Sequence, residues 1–225
     1  MAATPHPAAP APRDLADLPY AHRLDVFTGE LERDGDHESV HFDGGTFAGL
    51  DGGGTVFLEC AFSSVAFEGG RYRRARFDDV WAQRTRWVGG DLAETQWTDC
   101  EADAGLLAGV ELHGSRLRRV VFHQCKFDSV NLRAAELRDV TFADCLLRDA
   151  DFSGARLAGV AFPGTTLERV RFDNVTVDRA DLSGAAALGI ASGLDALRGA
   201  TISGLQLVEL APALAMVLGL EVKDG

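Results

Sequence analysis

Large apolar side chains recur every fifth residue from Phe42 onward. The slot reads Phe42, Phe47, Gly52, Phe57, Phe62, Phe67, Tyr72, Phe77, Ala82, Trp87, Leu92, Trp97 and Ala102, and continues to Phe172, Val177 and Leu182. Later members include Phe122, Phe127, Phe142, Phe152 and Phe162, and only Gly52, Ala82 and Ala102 break the series. Two residues before each large side chain the chain places a small or β-branched one, such as Val40, Cys60, Val65, Ala75, Val80, Cys100 and Val110, with Leu50 the one large exception. A period of five is neither the 3.6 of a helix nor the 2 of a strand. It is an internal repeat, and it predicts a solenoid with two inward residues in five, each turn stacking on the next to bury a core it cannot bury alone.

The blocks Ala150-Asp151-Phe152-Ser153-Gly154 and Ala180-Asp181-Leu182-Ser183-Gly184 carry a pattern that resembles the pentapeptide-repeat proteins. The resemblance implies an all-β solenoid, a right-handed quadrilateral β-helix in which four blocks make one square turn. Residues 40–184 then form about seven or more turns and a rod roughly 35 Å long at the inter-strand spacing.

The flanks divide as 1–19, an Ala/Pro-rich leader expected to be disordered; 20–39, an irregular N-terminal cap; 185–202, an irregular last turn; and 203–225, a C-terminal helix and tail. Gly52-Gly53-Gly54 coincides with a missing large residue, so the first turn is expected to bulge there. Ser203 reads as a helix N-cap, Gly219 as a stop, and Pro212 as a kink or split. Leu207, Leu210, Leu214, Val217 and Leu218 supply the helix's apolar side. The ending from Ala200 to Val222 resembles the C-terminal module of actinobacterial pentapeptide-repeat proteins, including their fluoroquinolone-resistance branch. That resemblance implies a cap and a homodimer through the helix; a helix folded over the last turn of a monomer stays open beside it.

Charge and chemistry narrow the function. The net charge is −12, with 3 Arg against 8 Asp/Glu in residues 1–39, 17 basic against 22 acidic in 40–184, and 2 against 4 in 185–225. An acidic total argues against ordinary nucleic-acid binding, which needs a basic face to displace counterions from phosphates. Cys60, Cys100, Cys125 and Cys145 all fall in the small inward slot, which makes them small buried hydrophobes of a reducing compartment, not a metal or disulfide set. No apolar secretory core and no membrane-spanning run is visible in the sequence, and the expected location is cytoplasmic. No catalytic, metal or cofactor motif appears, so an enzyme is not expected. His123 beside Gln124 and Cys125 is expected to point outward while the cysteine points inward.

Ala82 and Ala102, twenty residues apart, should stack on one face. Either Trp87 and Trp97 overfill neighbouring sites and the alanines compensate, or the gap marks a contact patch centred on Trp81 in an outward slot. The resemblance further implies a DNA-mimic protein that binds DNA gyrase or topoisomerase IV and protects it from quinolones or natural-product poisons, without itself contacting nucleic acid. The candidate partner-binding residues are Trp81, Asp78, Asp79, Asp99, Glu101, Asp103, Arg116, Arg118 and Arg119. Sorted modulo twenty, the face of Asp78, Asp79 and Asp99 also carries Arg76 and the later arginines, so no pure acidic face results. A scaffolding module for an unrelated protein is the competing reading.

Overall fold

The computed structural model describes residues 10–222. The chain winds into a four-sided parallel β-solenoid in which residues twenty apart sit on neighbouring rungs, as in Phe57↔Phe77 and Phe42↔Phe62. The first face is centred on His37, Phe57, Phe77, Trp97, Leu117, Leu137, Leu157 and Val177, which makes eight rungs. The second is centred on Phe42, Phe62, Ala82, Ala102, Phe122 and Phe142. The third carries Phe47, Phe67, Trp87, Leu107, Phe127, Leu147 and Leu167. The fourth, Gly52 to Phe172, is held by isolated bridges such as Asp51↔Arg71 and Asn131↔Asp151.

First and second faces merge into one 13-stranded sheet because Arg116–His123 and Glu136–Ala143 run on around a corner as single strands. The corners themselves are left-handed. Glu59, Ser64, Arg74, Asp79 and Arg84 take φ of 50 to 61°, alternating with glycines such as Gly69 and Gly89 at 66°. A side chain in that region costs about 1–2 kcal/mol, a cost that the continuous inter-rung hydrogen bonds offset.

The inward slots form the core. Phe42, Phe57, Phe62, Phe67, Phe77, Phe122, Phe127, Phe142, Phe152, Phe162 and Phe172 are buried, and Phe47, on the first rung of the third face, is partly buried against them. Rings stack along the axis: Phe42 on Phe62 at 4.6 Å, Phe67 on Trp87 at 3.8 Å, Phe77 on Trp97 at 4.1 Å, and Phe122 on Phe142 at 5.2 Å. Hydroxyls in the small slot bond to carbonyls one rung back; Thr165 Oγ1 donates to Phe142 O at 2.6 Å and Ser115 Oγ to Leu92 O at 3.1 Å. All four cysteines are buried and free. Burial pushes the Cys60 thiol up to about 11 and the Cys100 thiol up to about 12.

Several expectations need correction. The first rung begins at Asp36–Glu38, before residue 40. The first turn does not bulge at Gly52: its N–H donates to Arg71 O at 2.8 Å. The missing side chain makes room for the Tyr72 ring, whose Cδ1 would lie 2.7 Å from a Cβ at position 52. In 185–202 the strand Ala187–Ser192 pairs irregularly with Thr166–Arg171: Leu167↔Leu188 and Arg171↔Ser192 are one residue out of step, Val170↔Ile190 keeps the twenty-residue spacing, and so does Asp181↔Thr201.

Helix α1, Gly204–Val217, is not split by Pro212. Proline removes one i→i−4 bond, and the turns on either side hold. The start is a capping box: Ser203 Oγ accepts from Gln206 N at 3.2 Å, and Ser203 N donates to Gln206 Oε1 at 2.8 Å. The buried Gln206 side chain donates to Leu182 O and Ala185 O, closing the last rung. Residues 1–9 of the expected leader and 223–225 of the expected tail lie outside the described residues.

Candidate interaction surface

The second face is covered by the chain's own N-terminal segment. Residues 10–19, expected to be disordered, lie with residues 20–24 along the rod axis as a strap across the rungs. Pro10, Ala11 and Pro12 roof a cavity of about 310 Å³ with His123, Ala143, Asp144, Pro163 and Gly164. Arg13 N donates to Glu101 Oε1 at 2.6 Å and its guanidinium to Glu101 Oε2 at 2.5 Å. Leu18 and Tyr20 are buried against Ala61 and Trp81. Arg23 pairs with Glu59 at 2.6 Å, and Asp25–Val26 joins the sheet beside Val40–His41. Phe27 then folds over the end of the rod, 4.3 Å from Phe42.

The strap changes the standing of three residues read from the sequence. Trp81 is no exposed contact: it is 1% exposed, and its Nε1 donates to Arg13 O at 3.0 Å. Glu101 is 7% exposed and committed to Arg13. His123 stands in an outward slot as expected but is buried, with Nε2 unbonded and 3.9 Å from Glu101 Oε1. An outward slot means solvent only where nothing lies on the face. Trp87 and Trp97 point inward, and Trp97 Nε1 donates to Thr95 Oγ1 at 2.9 Å, while Ala82 and Ala102 stack on one face as expected. Asp103, at the far edge of that face, accepts from Gln83 at 3.2 Å.

The remaining candidates lie on the first face and on its corner with the second, whose edge the strap reaches only through Arg23 at Glu59. The corner stacks Glu59, Asp79, Asp99, Arg119 and Asp139 on successive rungs, with Asp78 beside Asp79. Arg119 forms a two-pronged ion pair with Asp99. That holds the Asp99 carboxyl below its ordinary range, through the Arg119 hydrogen bond first. Arg76 pairs with Asp78 at 3.3 Å. Asp79 has no ion pair among the described residues, and its pKa is raised by burial first and then by Asp99, Glu59 and Asp78. From Arg116 onward the same face turns basic: Arg116, Arg118, Arg138 and Arg156 surround Glu136. The face therefore begins acidic at Asp36 and Glu38, is apolar at Val56 and Leu58, and turns basic toward the middle.

A second open surface lies at the C-terminal end. Of the helix residues read from the sequence, Leu210 is buried against the rod and Leu214 half-buried, while Leu207, Val217 and Leu218 are exposed. Leu205, Val208, Met216, Leu220 and Val222 extend the apolar surface, Met216 at 81% exposure. Val208, Pro212, Met216, Leu220 and Val222 line an open cavity of about 500 Å³.

No group of three or more His, Cys, Asp or Glu side chains among the described residues is arranged to hold a metal. Among the same residues no helix is long and apolar enough to cross a membrane.

Residues 95–172 match a family model described as a pentapeptide repeat region. The comparison with curated proteins gave no match. Among solved structures, the pentapeptide-repeat protein Rfr23 from the cyanobacterium Cyanothece 51142 is 14% identical, covering 70% of this chain and 92% of its own, at a TM-score of 0.40. Full-length QnrB1, a plasmid-mediated fluoroquinolone resistance protein, is 16% identical over 85% of this chain and 95% of its own, at 0.39. HetL from the cyanobacterium Nostoc sp. strain PCC 7120, involved in heterocyst differentiation regulation, is 17% identical over 75% and 90%, at 0.28. None of these likenesses bears on a partner or a contact face.

Proposed function

We propose that this chain, a pentapeptide-repeat protein, is a non-catalytic rod that binds another protein, and that the partner is a type II topoisomerase, DNA gyrase or topoisomerase IV. Binding would protect that enzyme from a poison such as a quinolone. The observation that carries the reading is the acidic corner. Glu59, Asp79 and Asp99 repeat at one-rung spacing, about 4.8 Å; Glu59 pairs with Arg23 and Asp99 with Arg119, while Asp79 makes no ion pair among the described residues. This edge is sparser than a DNA strand, which carries a charge per about 3.4 Å. Its contribution is therefore long-range steering toward a cationic saddle, weakened by salt.

The apolar surface of α1 supports a second element of the proposal, a homodimer joined through the C-terminal helix. Exposed leucine, valine and methionine side chains this contiguous mark an interaction site on a folded protein. Leu205→Arg with Val208→Arg should convert the dimer to a monomer by sedimentation; a wild-type chain that sediments as a monomer sinks this element.

The decisive experiment for the partner is a gyrase supercoiling assay with and without a fluoroquinolone, at two salt concentrations. Inhibition or relief of drug-induced cleavage that weakens with salt, and is lost in Glu59→Gln/Asp79→Asn, supports the reading. Supercoiling and cleavage left unchanged at micromolar protein exclude it for that enzyme. The basic half of the same face favours a second reading, a scaffold that recruits an unrelated acidic protein.

A further inference from the structure

We infer that the basic half of the first face is a docking site for a short, extended, acidic segment of a partner protein, gripped by Arg118 and Arg138 with Arg116 and Arg156 beside them. Arg118 and Arg138 are direct neighbours on adjacent rungs, so their backbones lie about 4.8 Å apart. Like charges facing each other in this way are destabilising. The chain elsewhere sets opposite charges across a rung: Arg169 with Asp149, Arg148 with Glu168 at 2.8 Å, and Arg74 with Glu94 at 2.9 Å.

The column of Arg118 and Arg138 offers no such partner. Thr98 precedes them on the rung below and Ala158 follows on the rung above. Among the described residues Arg118 makes no ion pair, and Arg138 reaches only its sequence neighbour Asp139, at 3.8 Å with a side chain 70% exposed. The parallel column runs Arg116, Glu136, Arg156, where Glu136 lies 3.6 Å from Arg116. Of the other nearby carboxylates, Asp99 is held by Arg119, and Asp139 is the one Arg138 reaches. Four guanidinium groups thus meet two carboxylates, Glu136 beside Arg116 and Asp139 beside Arg138, on a surface that neither the strap nor α1 covers. A carboxylate bridging Arg118 and Arg138, one oxygen accepting from each guanidinium, would turn the repulsion into two charge-assisted contacts.

The dimensions select the occupant. Three rungs span about 10 Å, the length of three extended residues. The protein's net charge of −12 and the acidic corner next to the patch repel any longer polyanion, so a nucleic-acid backbone does not fit. A peptide with two or three acidic residues meets the patch without reaching the acidic end.

The test is fluorescence anisotropy of a labelled oligoglutamate peptide against the full chain, at low and at physiological salt. Arg118→Gln/Arg138→Gln should weaken binding by about tenfold or more, as expected for two lost charged contacts, with circular dichroism unchanged. Arg84→Gln, on a different corner, should leave binding intact. Three outcomes overturn the inference: no peptide binding at low salt, binding indifferent to Arg118 and Arg138, or equal binding of a duplex oligonucleotide with the same arginine dependence. Because no topoisomerase is present and Glu59 and Asp79 are untouched, failure here is distinct from failure of the topoisomerase reading.

Discussion

Replacing Trp81 by alanine should free the strap while sparing the rod. The indole is 1% exposed, but its neighbours differ from those of a core residue. On one side it meets Ala61 of the adjacent rung, and on the other Leu18, Tyr20 and the Arg13 carbonyl. Truncating a buried tryptophan costs about 3–5 kcal/mol. Most of that loss falls on the strap-to-rod contact, because the rungs keep their hydrogen bonds and inward rings. At 1.4 kcal/mol per decade, the strap should open about 100- to 1,000-fold more often. Where reclosing is faster than cleavage, proteolysis tracks that open population. Limited trypsin digestion should therefore cut after Arg13 and Arg23 faster by a similar factor, while the melting of the remaining rod moves little. If Trp81→Ala lowers the melting temperature of the whole molecule and strap cleavage accelerates only as far as global unfolding does, the strap and rod are one cooperative unit and the reasoning fails.

Three further perturbations read other parts of the molecule. Gly52→Ala places a methyl 2.7 Å from the buried Tyr72 ring and should destabilise by about 1–3 kcal/mol, recovered in Gly52→Ala/Tyr72→Leu; an unchanged thermal melt would show that the ring moves freely. Asp79→Asn should stabilise the fold at neutral pH. The folded-state pKa of Asp79 is raised, so its charge opposes folding above that value, and the advantage should vanish as pH falls to the ordinary carboxylate range. Asp99→Asn should do the reverse: the pKa of Asp99 is lowered by Arg119, so its contribution is present above the ordinary value and lost as pH falls through the folded one. A pH-independent difference in either urea titration contradicts this assignment.

The period of five located nearly every inward side chain, because a residue's direction in a solenoid depends only on its place in the block. What lies outside a face is not periodic, and so Trp81 read as exposed. A signal was nonetheless present. Modulo twenty, the second face sets Ala61, Trp81, Val121, Ala143 and Ala161 among its outward positions, beside polar ones such as Glu101 and His123. Leu15, Leu18, Ala21 and Leu24 supply a matching apolar series in the segment that covers them. The same sorting brings Asp99 to Arg119 and Asp149 to Arg169, pairs that neutralise part of the acidity read from the sequence. The split that Pro212 suggested does not occur, because it removes one bond while Gln206 and Leu210 anchor the helix to the last rung.

A stack of repeats ordinarily behaves as a one-dimensional chain in which each unit senses only its two neighbours. The strap breaks that rule by touching the rungs of Ala61, Trp81, Glu101, His123 and Pro163 at once. It couples units up to five rungs apart, so fraying cannot travel freely through the strapped stretch. Loss of order should begin at the unstrapped C-terminal rungs and halt there, giving the rod a frayable end and a clamped one.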